Sequence, residues 1–154
     1  MSVAFRRESD EEHIEPRFEL PIPPGPNFVT PAGLAQIEAR VSELEAALAA
    51  ASDEERSKEL KRDLRYWRNR KSTAQPAPTP RAGEVGIGSS VAFALRGAAK
   101  RITITGYDES DPIAGRIAFS APLARALLGA SPGDLVDFGG QEEAIEVLAV
   151  EPAL

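Results

Sequence analysis

The 154-residue chain has no cysteine and a single histidine, His13. Without cysteine there is no disulfide, no thiol nucleophile and no Cys-ligated zinc. One histidine excludes a His-ligated metal site and argues against a Ser-His-Asp triad. No apolar run approaches the roughly 18 residues of a membrane-spanning helix. The opening MSVAFRRESDEEHIEP turns acidic at once, unlike a secretory signal. An excess of positive charge is missing too: 18 Lys and Arg against 24 Asp and Glu leave a net charge of −6, which argues against nucleic-acid binding by an overall basic surface. The expectation is a soluble, cytoplasmic protein with no membrane contact. A chain of this size buries about two-thirds of its unfolded surface, as one modest domain or two small ones. Composition points away from a self-contained enzyme and toward a protein that works on a partner.

The chain falls into three parts and a linker. Residues 1–29 carry three basic and six acidic side chains, net −3. Pro21-Ile-Pro-Pro-Gly-Pro26 sustains neither a helix nor a central strand, so the segment reads as an extended Pro-rich arm, with Phe18, Leu20, Ile22 and Phe28 available to pack on a neighbouring surface. Residues 30–75 read as a helical hairpin. Thr30-Pro31 is a helix start, and Leu34, Ile37, Val41, Leu44 and Leu48 follow at 3/4 spacing, a coiled-coil seam. Leu60, Leu64, Trp67 and Ala74 form a second seam in a different register, so the helix breaks between them. Ser52 and Glu55 match a capping box that restarts it. Each arm is roughly 30 Å long at 1.5 Å per residue.

Residues 76–84, rich in proline, form a linker. Residues 85–154 change period. Strands are expected at 90–95, 101–105, 116–119, 135–138 and 144–150, with one short helix, Pro122–Gly129, between the third and fourth. Strands dominate, so the class is α+β with a largely antiparallel sheet.

Two stretches carry a resemblance. Val29-Thr-Pro-Ala-Gly-Leu-Ala-Gln-Ile-Glu38 resembles the opening of the first hairpin helix in bacterial GreA/GreB transcript cleavage factors. Gly106-Tyr-Asp-Glu-Ser-Asp-Pro112, Gly115-Arg-Ile-Ala-Phe-Ser-Ala-Pro-Leu-Ala-Arg-Ala-Leu-Leu-Gly129 and Gly133-Asp134 resemble the C-terminal signature of that family. The resemblance covers residues 29–150; the arm lies outside it. It implies a coiled-coil hairpin followed by an FKBP-like domain that docks on RNA polymerase at the rim of the secondary channel, with the hairpin entering the channel. Any contact with DNA would then be indirect, through the polymerase. In the cleavage factors, acidic residues at the tip help hold Mg²⁺ in the polymerase's own active site, where carboxylate oxygens suit a hard cation. The factor itself needs no active site, cofactor or stable metal, and no small-molecule ligand is expected.

The resemblance assigns candidate residues. Asp53 and Glu54 are the tip acids, although acids in a first helical turn also complement the helix dipole. The family's D-L-x-E-N-A-E-Y motif is absent; Asp63-Leu-Arg-Tyr-Trp-Arg is superficially similar but falls well down the second arm. The short hairpin is similar to that of the relative named regulator of nucleoside diphosphate kinase. The implied reading is a regulator that binds polymerase without cleaving, the alternative being a true cleavage cofactor. Ser120, Pro122, Leu123 and Arg125 match the docking segment, with Ser120 also placed to cap the short helix. Arg62, Arg65, Arg68 and Lys71, within a stretch that includes Lys61 and Arg70, read as a basic helix face, either solvated or meeting nascent RNA or an acidic polymerase surface. Trp67 fits the seam, and Asp108–Pro112 reads as a turn between strands. FKBP-like folds include prolyl isomerases, but only Tyr107, Phe93, Phe119 and Phe138 could line a pocket here.

Overall fold

A computed structural model describes residues 19–153. The protein is α+β. In chain order its elements are β1 (Asn27–Val29), α1 (Pro31–Ala50), α2 (Glu54–Thr73), β2 (Ala74–Pro76), β3 (Ser89–Leu95), β4 (Ala98–Thr105), β5 (Arg116–Ala118), α3 (Pro122–Leu127), β6 (Leu135–Phe138) and β7 (Gln141–Pro152). They group into two compact units. One contains 19–24 and Glu38–Ser72; the other contains Gly25–Ile37 and 73–153. No described helix is long and apolar enough to cross a membrane.

The first unit is the hairpin. Val41, Leu44, Leu60 and Leu64 are buried together, with Ala47, Leu48, Ala51 and Trp67 packed around them. Val41, Leu44, Leu48, Leu60, Leu64 and Trp67 are seam residues, because positions three and four apart share a helix side; Ala47 and Ala51 join them from outside the seams, and Leu34 and Ile37 belong to the other unit. Trp67 is therefore a packing residue. Arg68 on α2 pairs with Glu45 on α1 at 3.0 Å.

Two expectations are corrected here. The restart of the helix is capped by Asp53 rather than Ser52: Asp53 Oδ2 accepts the Arg56 N–H at 2.8 Å, and α2 begins at Glu54. Both residue types cap well, but only the position one residue on puts the acceptor over the first free N–H groups. Ala74, read as the end of the second seam, lies in β2.

The second unit is built on a five-stranded sheet of order β5-β4-β3-β7-β6. Val91, Phe93, Ile104, Ile145 and Val147 face a core closed by Ala124 and Leu127 of α3. The alternation in β3 follows from one buried face; in β4 burial instead rises along the strand, to Ile104 and Thr105 at its end, both fully buried. The pairs β3·β4, β3·β7 and β6·β7 are antiparallel, but β5 runs parallel to β4. The ten residues 106–115 cross back before β5 starts, as a parallel pair requires. A second, two-stranded parallel sheet pairs Asn27–Val29 with Ala74–Pro76, and Asn27 Nδ2 donates to Thr73 Oγ1 at 3.1 Å. The end of the segment read as an arm is thus a strand; residues 1–18, with Phe18, lie outside the described residues.

The start of α1 is fixed by a buried carboxylate. Glu109 Oε2 accepts from the backbone N–H groups of Thr30 at 3.2 Å and Gly106 at 3.1 Å. Its Oε1 accepts the Thr30 hydroxyl at 2.5 Å, while Thr30 Oγ1 accepts the Gly33 N–H at 3.0 Å. Thr30 is therefore the N-cap the sequence announces, and the cap is itself capped. A Cβ at Gly33 would fall on the Glu109 carboxylate, so glycine is required there for close approach. The Asp108–Pro112 turn is more than a connection: it comprises the 3₁₀ turn Tyr107–Glu109 and the start of a second, Pro112–Ala114, and it delivers Glu109.

Candidate functional site

The hairpin tip is the three residues 51–53 and the first turn of α2. Asp53, Glu54 and Glu55 are all exposed. Their chemistry differs. One oxygen of Asp53 is committed to the Arg56 N–H, and the Asp53 carbonyl accepts from Ser57 N at 3.0 Å. Glu55 lies 3.8 Å from Lys58. Glu54, in the first turn, complements the dipole. Among the described residues no group of three or more acidic or histidine side chains is arranged to hold a metal ion. Replacing Asp53 with Ala is expected to cost about 1 kcal/mol of hairpin stability, the usual worth of an N-cap. Thermal unfolding followed at a helix wavelength checks this, and Asp53→Asn or Asp53→Ser should restore most of the loss.

The basic residues of α2 do not form the face that their spacing suggested. At about 100° per residue, a step of three falls about 60° short of a full turn, so Arg62 and Lys71 point to opposite sides of the helix. The side centred on Arg65 carries Lys58, Lys61 and Arg68, with Arg62 at its margin; the first three and Arg65 are exposed. Lys71 is exposed in the last turn, where a cation complements the dipole. Arg70 belongs to no such face. It is 3% exposed, and its guanidinium lies 6.0 Å from the Tyr66 ring centroid, within cation–π range. Tyr66 in turn meets Trp67 edge-to-face at 5.1 Å.

The charges on this side are also engaged. Arg62 pairs with Asp63 at 2.9 Å and Arg68 with Glu45. Arg65 grips Glu19 with two parallel bonds, Nε to Oε1 at 2.7 Å and Nη2 to Oε2 at 2.6 Å. The hydrogen bond to Arg65 holds the Glu19 carboxyl below the usual carboxylate range, aided by the nearby charges of Arg65 and Arg62, and the same bond raises Arg65. Glu19 is a participant that sequence reasoning missed, because no periodicity links it to a residue 46 positions away.

The docking segment lies on the second unit. Ser120, Pro122 and Arg125 are exposed. Ser120 does not cap α3: the N-cap is Ala121, with no side-chain cap bond, and Pro122 follows in the first turn. Leu127 is fully buried, whereas Leu123 is half-buried and packs against the core, so Leu123 contributes little free surface. Leu128, just past the helix, is more exposed. It shares with Phe28, Phe119, Val85, Ile87, Pro78 and Pro80 an apolar groove of about 270 Å³, in which Phe28 meets Phe119 edge-to-face at 5.6 Å. The linker prolines thus line a groove on the sheet unit. Phe93 is fully buried; of the four aromatics considered for a pocket, only Phe119 reaches this groove.

Comparison with known proteins follows the same lines. Residues 79–152 match the family model described as transcription elongation factor, GreA/GreB, C-term. A curated GreA transcription elongation factor from Mycoplasma capricolum is 32% identical over 105 residues, 67% of this chain and 54% of that protein. A GreA from Ralstonia nicotianae is 32% identical over 120 residues, 75% of this chain and 63% of that protein. This chain thus spans little more than half to under two-thirds of the length of these relatives. Among solved structures, the GreA factor homolog 1 (Gfh1) protein of Thermus thermophilus is 18% identical, with a TM-score of 0.37, covering 82% of this chain and 99% of that one.

Proposed function

This chain belongs to the GreA/GreB transcription elongation factor family, and from that premise we propose that it binds RNA polymerase at the rim of the secondary channel and regulates elongation without contributing an active site. Ser120, Pro122 and Arg125 form the docking patch, and the hairpin enters the channel, where its basic side lies within reach of nascent RNA. No cofactor is needed; Mg²⁺ acts only in the active site of the polymerase.

The observation that carries the non-cleaving reading is the engagement of Asp53. Assisting a second metal calls for carboxylate oxygens free to turn toward the ion. At this tip one Asp53 oxygen terminates the helix, and Glu54 is left as the acid with a freer carboxylate. The exposure of both residues favours the second reading, a cleavage cofactor.

Backtracked elongation complexes of the cognate polymerase, supplied with Mg²⁺ and this protein, separate the two. The expected result is a bound factor and RNA of unchanged length. Shortened RNA that returns to full length with Asp53→Ala and Glu54→Ala combined would overturn the proposal and establish the cleavage reading.

A further inference from the structure

We propose that the Glu19 carboxylate is a built-in competitor at the anion site centred on Arg65, and that a phosphodiester backbone occupies this side of α2 when the segment around Glu19 lets go. The proposal rests on the functional reading above, which places the basic side of the hairpin near RNA, and adds its regulation.

Three observations carry it. The first is geometry. The Arg65 guanidinium grips Glu19 through two parallel bonds at 2.7 and 2.6 Å, the fork arrangement that an arginine offers equally to carboxylate and phosphate. A phosphate would use the same two donors.

The second is where the carboxylate comes from. Arg56–Glu59, Lys58–Glu55 and Arg62–Asp63 are pairs within α2, and Arg68–Glu45 joins its two helices. In each of these the carboxylate is carried by a hairpin helix and stays within reach of its cation while the hairpin is folded. Glu19 belongs to a Pro-rich stretch outside both helices, so its pair with Arg65 can open while the hairpin stays folded. The pair is exposed on both sides, 55% for Arg65 and 47% for Glu19, so solvent and salt weaken it and its hold is reversible.

The third is the match of charge. Arg65 lies between Lys61 and Arg68, with Lys58 one further turn away, at steps of about 4.5 and 6 Å along the axis. A flexible single strand can follow such a row; Arg68 and Lys58 are shared with Glu45 and Glu55, so the cation it gains when Glu19 lets go is Arg65. The residues before Glu19 carry Glu8, Asp10, Glu11, Glu12 and Glu15, so the stretch that supplies the competitor is itself acidic.

The test measures binding of a short single-stranded homopolymeric RNA to the full chain, by fluorescence anisotropy across a salt series. Glu19→Gln should bind RNA about three- to tenfold more tightly, with a salt slope steeper by about 0.7 as Arg65 becomes available to one more phosphate. Glu142→Gln, the same charge change at an exposed site on β7, should bind like the parent chain. Glu19→Gln combined with Arg65→Gln should bind no better than Arg65→Gln alone. Unchanged RNA binding in Glu19→Gln overturns the proposal, and so does an equal gain in Glu142→Gln. A gain for polymerase without a gain for RNA overturns the assignment of a phosphodiester in favour of an acidic protein surface. A gain for RNA in a chain that binds no polymerase supports the proposal while removing the functional reading it was placed in.

Discussion

Replacing Glu109 with Ala is expected to lower the stability of the protein by about 3–5 kcal/mol, a fall of about 10–15 °C in melting temperature for a chain of this size. Glu109 is 8% exposed and accepts three hydrogen bonds, from Thr30 N, Thr30 Oγ1 and Gly106 N. Removing it deletes one side chain but strands three donors, and a buried donor left unsatisfied costs more than a hydrogen bond gains. The loss does not stop at the turn. Thr30 caps α1 through the Gly33 N–H, and its hydroxyl can donate only to an acceptor in the position of Oε1. Glu109→Gln keeps shape and one acceptor but turns an N–H donor toward groups that are themselves donors, so an intermediate loss of about 1–3 kcal/mol is expected. Gly33→Ala should be as damaging as Glu109→Ala, since the methyl would occupy the place of the carboxylate. Chemical denaturation of the three variants checks the order. Losses below about 1 kcal/mol for Glu109→Ala would show that water replaces the carboxylate without penalty.

The contrast between what the sequence announces and what it conceals is clear at this site. Thr30-Pro31 announces a helix start because the hydroxyl cap and the preset φ are local properties. The hairpin seams are legible because burial on one side of a helix imposes the 3/4 spacing of Val41, Leu44, Leu60 and Leu64. β3 is legible because one buried sheet face imposes alternation. Glu109 is not legible: nothing distinguishes it from Asp108 or Asp111 until a threonine 79 positions away is brought against it. The parallel direction of β5 is hidden for a related reason, since three residues cannot encode an orientation that the crossover at 106–115 sets. β1 and β2 are too short, and β2 too close to proline, to show a period.

Among the candidate functional residues, type was easier to read than position. Acids at the tip and cations on α2 are evident, but which acid caps the helix depends on where α2 begins, a one-residue question decided by the reach of Asp53 to Arg56 N. Which cations share a side depends on the helical rotation, and steps of three drift around the axis. Glu19 enters only through the fold of the first unit.

The second large effect is expected on binding rather than stability. Ser120→Arg should weaken association with RNA polymerase at least about tenfold, while the stability of the protein changes by no more than about 0.5 kcal/mol. Ala124 and Leu127 are fully buried and fix the rotation of the six-residue helix α3, so Ser120, Pro122 and Arg125 are presented outward on a rigid base. A preformed patch loses little conformational entropy when it docks, which is why a bulky charge inserted into it is costly to the complex. Ser120 carries no capping duty that its replacement would disturb. Arg125→Glu should act differently, slowing association and changing its salt dependence, as a charge at the rim of a contact does. Leu127→Ala is the opposite control: it should cost about 2–5 kcal/mol of stability through the cavity it leaves, yet the folded fraction should bind polymerase as the parent chain does. A structural role for the segment would make all three variants lose stability together. If Ser120→Arg and Arg125→Glu are stable and bind polymerase unchanged, the docking surface lies elsewhere on the sheet unit, and the exposed residues of α3 are simply its solvated side.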